Sequence, residues 1–196
     1  MHRIEKFNNL KWQPAKKTSL LKTRIMEVFA QESVSPEKND SSFIVVDAPN
    51  WVTTVAVVPK EQALQDFNIE EECFLMVVQW RHGNEKLCTE FPGGVVDEGE
   101  DAKIAAKREL LEETGYEAKK ITHLATVSPN PAIFSNTQSF YLAEDLVNTK
   151  KLQLDNDEYV SAIAIPVKEV IKNMGTSDYS HGLMAAALMF YMQSQL

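Results

Sequence analysis

The spacing of apolar residues changes along this chain, and each change marks an element. Residues 1 to 19 are largely polar and read as an arm with little structure. From Leu20 to Gln31, Val, Ile, Phe and Thr mix with charges, which suits one or two strands. Ser33 to Ser42 is a turn, and Phe43 to Asp47 and Trp51 to Val58 are β-rich. Pro59 to Asn68 reads as a loop or a short helical turn. Cys73 to Trp80 is almost continuously apolar, the pattern of a strand covered on both faces. A shorter strand, Leu87 to Phe91, stops at Pro92-Gly93-Gly94. The period then becomes helical from Glu100 to Thr114: Ala102, Ala106 and Leu110 form a narrow stripe, and Gly115 stands where a helix C-cap belongs. Strands near Ile121 to Val127, Ser139 to Ala143 and Tyr159 to Ile165 precede two helices, near Val167 to Met174 and Tyr179 to Gln195. This order predicts an α/β or α+β fold with a mixed sheet. His181 and the run Met184 to Met192 read as a packed terminal helix, and Trp12 is given packing at most.

Composition narrows the function. With 196 residues and 44% hydrophobic content, the chain suits one domain, or one domain with an elaborated terminus. A net charge of -8 disfavours a nucleic-acid binder, which needs a basic face. An acidic protein can still bind phosphates if metal ions bring the positive charge. Cys73 and Cys88 form no Cys-x-x-Cys pair and are expected as buried or half-buried thiols in a reducing compartment. The first 14 residues lack the apolar core of a signal peptide, and no apolar run approaches the ~20 residues of a membrane span. The expected location is cytoplasmic, with no membrane partner.

Chemistry concentrates between Gly94 and Tyr116. On a helix, Glu109, Glu112 and Glu113 occupy i, i+3 and i+4 and share a face, although like charges so placed repel. A solvated face could tolerate that. Here, however, a Pro-Gly-Gly turn precedes the helix and can aim a bare backbone carbonyl outward. Carboxylates and carbonyls are the ligands that hard cations such as Mg²⁺ prefer. Arg108 lies four residues before Glu112 and can pair with it. These groups suit metal-assisted attack on a phosphoryl group.

The same residues resemble the Nudix box: Gly, five residues, Glu, seven residues, Arg-Glu, an aliphatic residue, any residue, Glu-Glu, any residue, Gly, an apolar residue. Gly94, Glu100, Arg108, Glu109, Leu110, Glu112, Glu113, Gly115 and Tyr116 stand at those spacings, with Tyr116 a loose fit. The resemblance spans roughly residues 45 to 195 and implies the Nudix fold, a mixed sheet sandwiched between helices. It implies that Glu109, Glu112 and Glu113 hold Mg²⁺, with Mn²⁺ a possible substitute, aided by the carbonyl of Gly93. Glu100 and Arg108 would brace the loop and helix.

Outside the box the chain resembles the ADP-ribose pyrophosphatase branch, which splits ADP-ribose or a related nucleoside diphosphate sugar into a nucleoside monophosphate and a sugar phosphate. Gln79-Trp80-Arg81 with Glu90-Phe91-Pro92-Gly93-Gly94 is similar to that branch's strand and approach to the box, which makes Arg81 a phosphate contact. Pro131 lies sixteen residues past Gly115, where the branch carries a proline, although SPNPAIFSN departs from its usual Ser-Pro-Gly pattern. The acidic run Asp155 to Tyr159 resembles the loop that supplies the branch's general base. Glu158 is the first candidate and Asp157 the second; strand alternation would let only one of them face the metals, and Glu112 is the fallback. The resemblance also implies a β-rich N-terminal extension over residues 1–50 that pairs with its copy in a homodimer, a Nudix domain over 51–196, and an aromatic in the base pocket, for which Trp51 is placed. The rivals are a hydrolase of nucleoside triphosphates, a hydrolase of dinucleoside polyphosphates, and a nucleotide sensor that does not cut. The long extension, the absence of an evident downstream tyrosine and the intact box weigh against them in turn.

Overall fold

A computed structural model describes residues 3–150 and 159–196. It divides into two compact units, one of Met1–Pro49 with Ser128–Asn136 and one of Asn50–Val127 with Thr137–Leu196.

The first unit is a three-stranded antiparallel sheet of β1 (Gln13–Lys22), β2 (Glu27–Val34) and β3 (Asp40–Asp47), in that order. The polar start is therefore not an unstructured arm. A 3-10 run over Arg3–Leu10 leads into β1, which pairs with β2 from Gln13↔Val34 to Lys22↔Glu27. Every side chain of β1 is exposed, so no apolar alternation announced it; cross-strand backbone bonds hold it in place. The Thr23 hydroxyl fastens the β1–β2 turn, donating to the Met26 carbonyl at 2.8 Å and accepting from the Met26 amide at 3.0 Å. The segment Ser128–Asn136 runs beside β3: Val46 N–H donates to the Ile133 carbonyl at 2.7 Å, and Ser135 N–H donates to the Val46 carbonyl at 3.1 Å.

The second unit is a six-stranded mixed sheet of β4 (Trp51–Val58), β5 (Cys73–Arg81), β6 (Lys86–Glu90), β7 (Tyr116–Val127), β8 (Gln138–Asn148) and β9 (Val160–Pro166). Strand β4 pairs with β8 in parallel, and the other pairings are antiparallel. Strand β9 runs along β5 from Cys73↔Pro166 to Gln79↔Val160. On its other edge β5 changes partner: Cys73, Phe74 and Leu75 meet β4, whereas Val77 to Arg81 meet β6. The expectation for the apolar run holds. Phe74 and Met76 belong to the buried cluster with Tyr179, Met184, Leu188 and Tyr191, and Cys73 and Leu75 to the cluster with Leu110 and Tyr116.

Of the loop or short helical turn expected over Pro59 to Asn68, the helical alternative forms as α1 (Lys60–Phe67), closed by Asn68 in the left-handed region at φ 58°. Helix α2 (Ala102–Thr114) lays Ala105, Ala106 and Leu110 on one face of the sheet. Helix α3 (Val167–Asn173) and helix α4 (Gly182–Ser194) cover the other. Both cysteines are buried and free, and burial, aided by Glu71, Glu72 and Glu169, pushes the Cys73 thiol up to about 11. Among the described residues, no helix is long and apolar enough to cross a membrane.

Candidate active site

The change of partner along β5 opens a wedge between β4 and β6, and residues 91 to 96 fill it. The Thr54 amide donates to the Pro92 carbonyl at 2.8 Å, the Val52 amide to the Gly94 carbonyl at 2.9 Å, and the Val96 amide to the Asn50 carbonyl at 2.9 Å. Trp51, half-buried at the start of β4, forms a bridge with Val95. With the carbonyls of Pro92 and Gly94 turned toward β4, the alternation of an extended run turns the amide and carbonyl of Gly93 the other way, toward α2. The Gly93 amide donates to Glu113 Oε2 at 2.8 Å.

Both glycines stand at close approaches. A Cβ on Gly93 would collide with the Val52 carbonyl and come within 2.9 Å of Thr53 Cα, both backbone. A Cβ on Gly94 would overlap the carboxyl group of Glu109. The extended segment thus lies directly against the acidic face of α2.

Helix α2 starts at Ala102, two residues later than the Glu100 expected. Asp101 caps it by accepting from the Lys103 amide at 2.9 Å. Glu100 therefore lies ahead of the helix and turns back to Arg108, accepting from Nε at 3.0 Å and from Nη2 at 2.9 Å. The same guanidinium donates to the Val95 carbonyl at 3.0 Å, to Glu109 Oε1 at 2.8 Å and to Glu112 Oε2 at 3.0 Å. Arg108 thus joins the strand-side segment, the loop and the helix. These partners raise its pKa, and Arg108 in turn holds Glu100 below the usual carboxylate range.

Glu109, Glu112 and Glu113 face one region. Glu109 and Glu112 share one nitrogen of Arg108, and Glu113 is buried against the Gly93 amide. Among the described residues, no three acidic, histidine or cysteine side chains already converge at metal-ligand distances. The donor set nevertheless fits a hard divalent cation. Every donor is a carboxylate or carbonyl oxygen, and two carboxylates already crowd a single positive nitrogen, for which a cation can substitute.

Other expected residues fall in several places. Arg81, at the end of β5, forks onto the buried Glu90, with Nε 3.0 Å from Oε1 and Nη2 2.5 Å from Oε2. Burial works against the charge of Glu90, but contacts with His181 and Arg81 outweigh it and hold the carboxyl down at about 2. His181 is not a core residue; it precedes α4 with its side chain 34% exposed. Pro131 belongs to the first unit, in a turn tied by Asn130, whose carbonyl accepts from the Phe134 amide at 2.9 Å. Asp157 and Glu158 lie outside the described residues. The pair Glu90 and His181 was missed. Glu90 gave a signal, as a charge at an inward position beside apolar residues; the separation of 91 residues between the two gave none.

A match to the NUDIX domain covers residues 54–183, well over half of the chain. The chain belongs to the Nudix family. It is a Nudix pyrophosphohydrolase, and Nudix hydrolases generally use divalent metal ions. A protein of Bacillus subtilis named ADP-ribose pyrophosphatase is 27% identical over 175 residues, 89% of each chain. The methanol dehydrogenase activator of Bacillus methanolicus is 28% identical over 150 residues, 76% of this chain and 75% of that one. The crystal structure of an ADP compounds hydrolase superposes with a TM-score of 0.79 at 21% identity, covering 94% of this chain and 95% of the other, which establishes the mixed-sheet Nudix fold.

Gly93 and Gly94, the latter the first glycine of the Nudix box, should respond differently to substitution. Gly93→Ala should lower unfolding free energy by about 2 kcal/mol or more, because rigid backbone blocks the new methyl group. Gly94→Ala should lose less than about 1 kcal/mol, because the obstructing Glu109 carboxyl can swing aside. Urea denaturation of both variants checks this, and equal losses would contradict the contacts assigned to each glycine.

Proposed function

We propose that this Nudix hydrolase cleaves the pyrophosphate of ADP-ribose or a related nucleoside diphosphate sugar, releasing a nucleoside monophosphate and a sugar phosphate. The observation that carries the reaction is the acidic face of α2 held against the Gly93-Gly94 segment by Arg108 and the Gly93 amide. The name of the Bacillus subtilis relative, matched along 89% of the chain, supports the substrate class.

Magnesium, or manganese in its place, would be held by Glu109, Glu112, Glu113 and the Gly93 carbonyl, and when bound it supplies Lewis-acid neutralisation of the pyrophosphate charge. The remaining work falls to side chains. Arg108 keeps loop and helix in register, so the carboxylates are placed before substrate arrives. Arg81 contacts a phosphate oxygen, and Trp51 stacks on the nucleobase. Glu158 removes a proton from the attacking water as its oxygen bonds to phosphorus and the bridging P–O bond breaks. Asp157 takes that role if Glu158 faces away, and Glu112 if neither serves.

One kinetic series tests this reading. ADP-ribose, ADP-glucose, GDP-mannose, UDP-glucose and nucleoside triphosphates are supplied with Mg²⁺ or with chelator, and phosphate is released from products by a phosphatase. We expect a nucleotide sugar to be turned over fastest, with no turnover in chelator. Glu113→Gln and Glu158→Gln should each lose about 10²–10⁴ in kcat, and Trp51→Ala should raise KM more than it lowers kcat. Full activity in Glu113→Gln, or a preference for triphosphates, would overturn the assignment.

The same proposal includes a homodimer through residues of about 20 to 58. The first unit leaves Leu20, Leu21, Ile25, Phe43 and Ile44 each roughly half exposed, more apolar surface than a three-stranded sheet can cover by itself. Sedimentation should give twice the chain mass at micromolar concentration; a monomer would remove the dimer from the account.

A further inference from the structure

Glu90 is a buried charge outside the box to which the mechanism above assigns nothing. Its side chain is 1% exposed, at the last position of β6 and three residues before Gly93. Arg81 Nε donates to both of its oxygens, at 3.0 and 3.1 Å, and Nη2 donates to Oε2. His181 approaches from the start of α4, its Nδ1 3.3 Å from Oε1. The approach does not meet hydrogen-bond geometry, and among the described residues the buried Nδ1 has no hydrogen-bond partner, so the contact sets the imidazole dipole against the carboxylate. The imidazole makes no capping bond to its own helix, which leaves it available to Glu90.

The geometry divides the guanidinium into two parts. The Nε–Nη2 edge is taken by Glu90, whereas Nη1 has no hydrogen-bond partner among the described residues, and the side chain remains 32% exposed. A carboxylate could equally fork onto the Nη1–Nη2 edge. His181 beside Oε1 weighs against that rotation, so the held edge and the free nitrogen stay distinct. Glu90 ends β6 three residues before Gly93, so the guanidinium it holds stands at the approach to the box.

We propose that Glu90 and His181 are positioning residues for Arg81: they hold its Nε–Nη2 edge so that Nη1 is presented to a phosphate oxygen of the substrate. The inference rests on the reading of Arg81 as a phosphate contact, and it adds how that contact is set. Ordering the side chain at folding removes an entropy loss that binding would otherwise incur. Only arginine can serve, since its planar fork offers donors on two edges at once, whereas lysine has one nitrogen for both tasks.

The test measures KM and kcat for ADP-ribose at saturating Mg²⁺, with melting temperatures, for Arg81→Ala, Arg81→Lys, His181→Leu and His181→Asn, and for the His181→Leu, Arg81→Ala double variant. Arg81→Ala should raise KM about tenfold, and Arg81→Lys by as much. His181→Leu should raise KM about threefold. His181→Asn should restore it, because the asparagine amide can place an N–H near the position of Nδ1. In the Arg81→Ala background His181→Leu should add nothing. A His181→Leu effect on melting temperature alone, or an equal KM effect in both backgrounds, would overturn the positioning role and leave the phosphate contact standing. An unchanged KM in Arg81→Ala and Arg81→Lys would overturn both. Should Arg81→Ala fail to fold, the contrast between His181→Leu and His181→Asn decides by KM.

Discussion

The second unit depends on the close approach of the Gly93-Gly94 backbone to β4 on one side and to α2 on the other. Strand β5 leaves β4 after Leu75, and the wedge accepts a bare extended segment bonded to Val52 and Thr54. The segment then has one free side, which faces α2. Its Gly93 amide meets Glu113, and Gly94 leaves room for the carboxyl of Glu109. Bringing acidic side chains this near one another is unfavourable without compensation. Arg108 provides it with five hydrogen bonds, one of them to the Val95 carbonyl of the segment itself. Glycine, arginine and glutamate thus form one arrangement, in which each makes the position of the others possible.

A second arginine repeats the device nearby. Glu90 is buried only because Arg81 and His181 meet it, and its residue position ties the end of β6 to the start of α4. Both arginines therefore lie on the two sides of one short run, residues 91 to 100, and each holds a carboxylate at its edge. The segment is braced at both ends by charge pairs, and the apolar clusters beneath it supply the rigid floor on which those pairs act.

Much of this was legible in the sequence wherever the determining interaction is local. The apolar run Cys73 to Trp80, the Ala102, Ala106 and Leu110 stripe, and the left-handed Gly115 each follow from neighbours within a few residues. The spacing of Arg108, Glu109, Glu112 and Glu113 was readable for the same reason. Where long-range bonds decide, the sequence was silent. Strand β1 carries no alternation because all its side chains are exposed. The segment around Pro131 pairs with Val46, some 85 residues away in the chain. Glu100 falls before α2 because Asp101 takes the cap and Arg108 attracts the carboxylate. The meeting of Glu90 with His181 is likewise a product of folding.

The central claim, that the acidic face of α2 with the Gly93 segment is a divalent-cation site, is tested most directly without any substrate. Free Mn²⁺ measured by electron paramagnetic resonance gives the ion bound to the wild-type protein and to the triple variant Glu109→Gln, Glu112→Gln, Glu113→Gln. The account predicts saturable binding to the wild type and an affinity weaker by about 10²-fold or more in the triple variant. Equal binding by two folded proteins would contradict it.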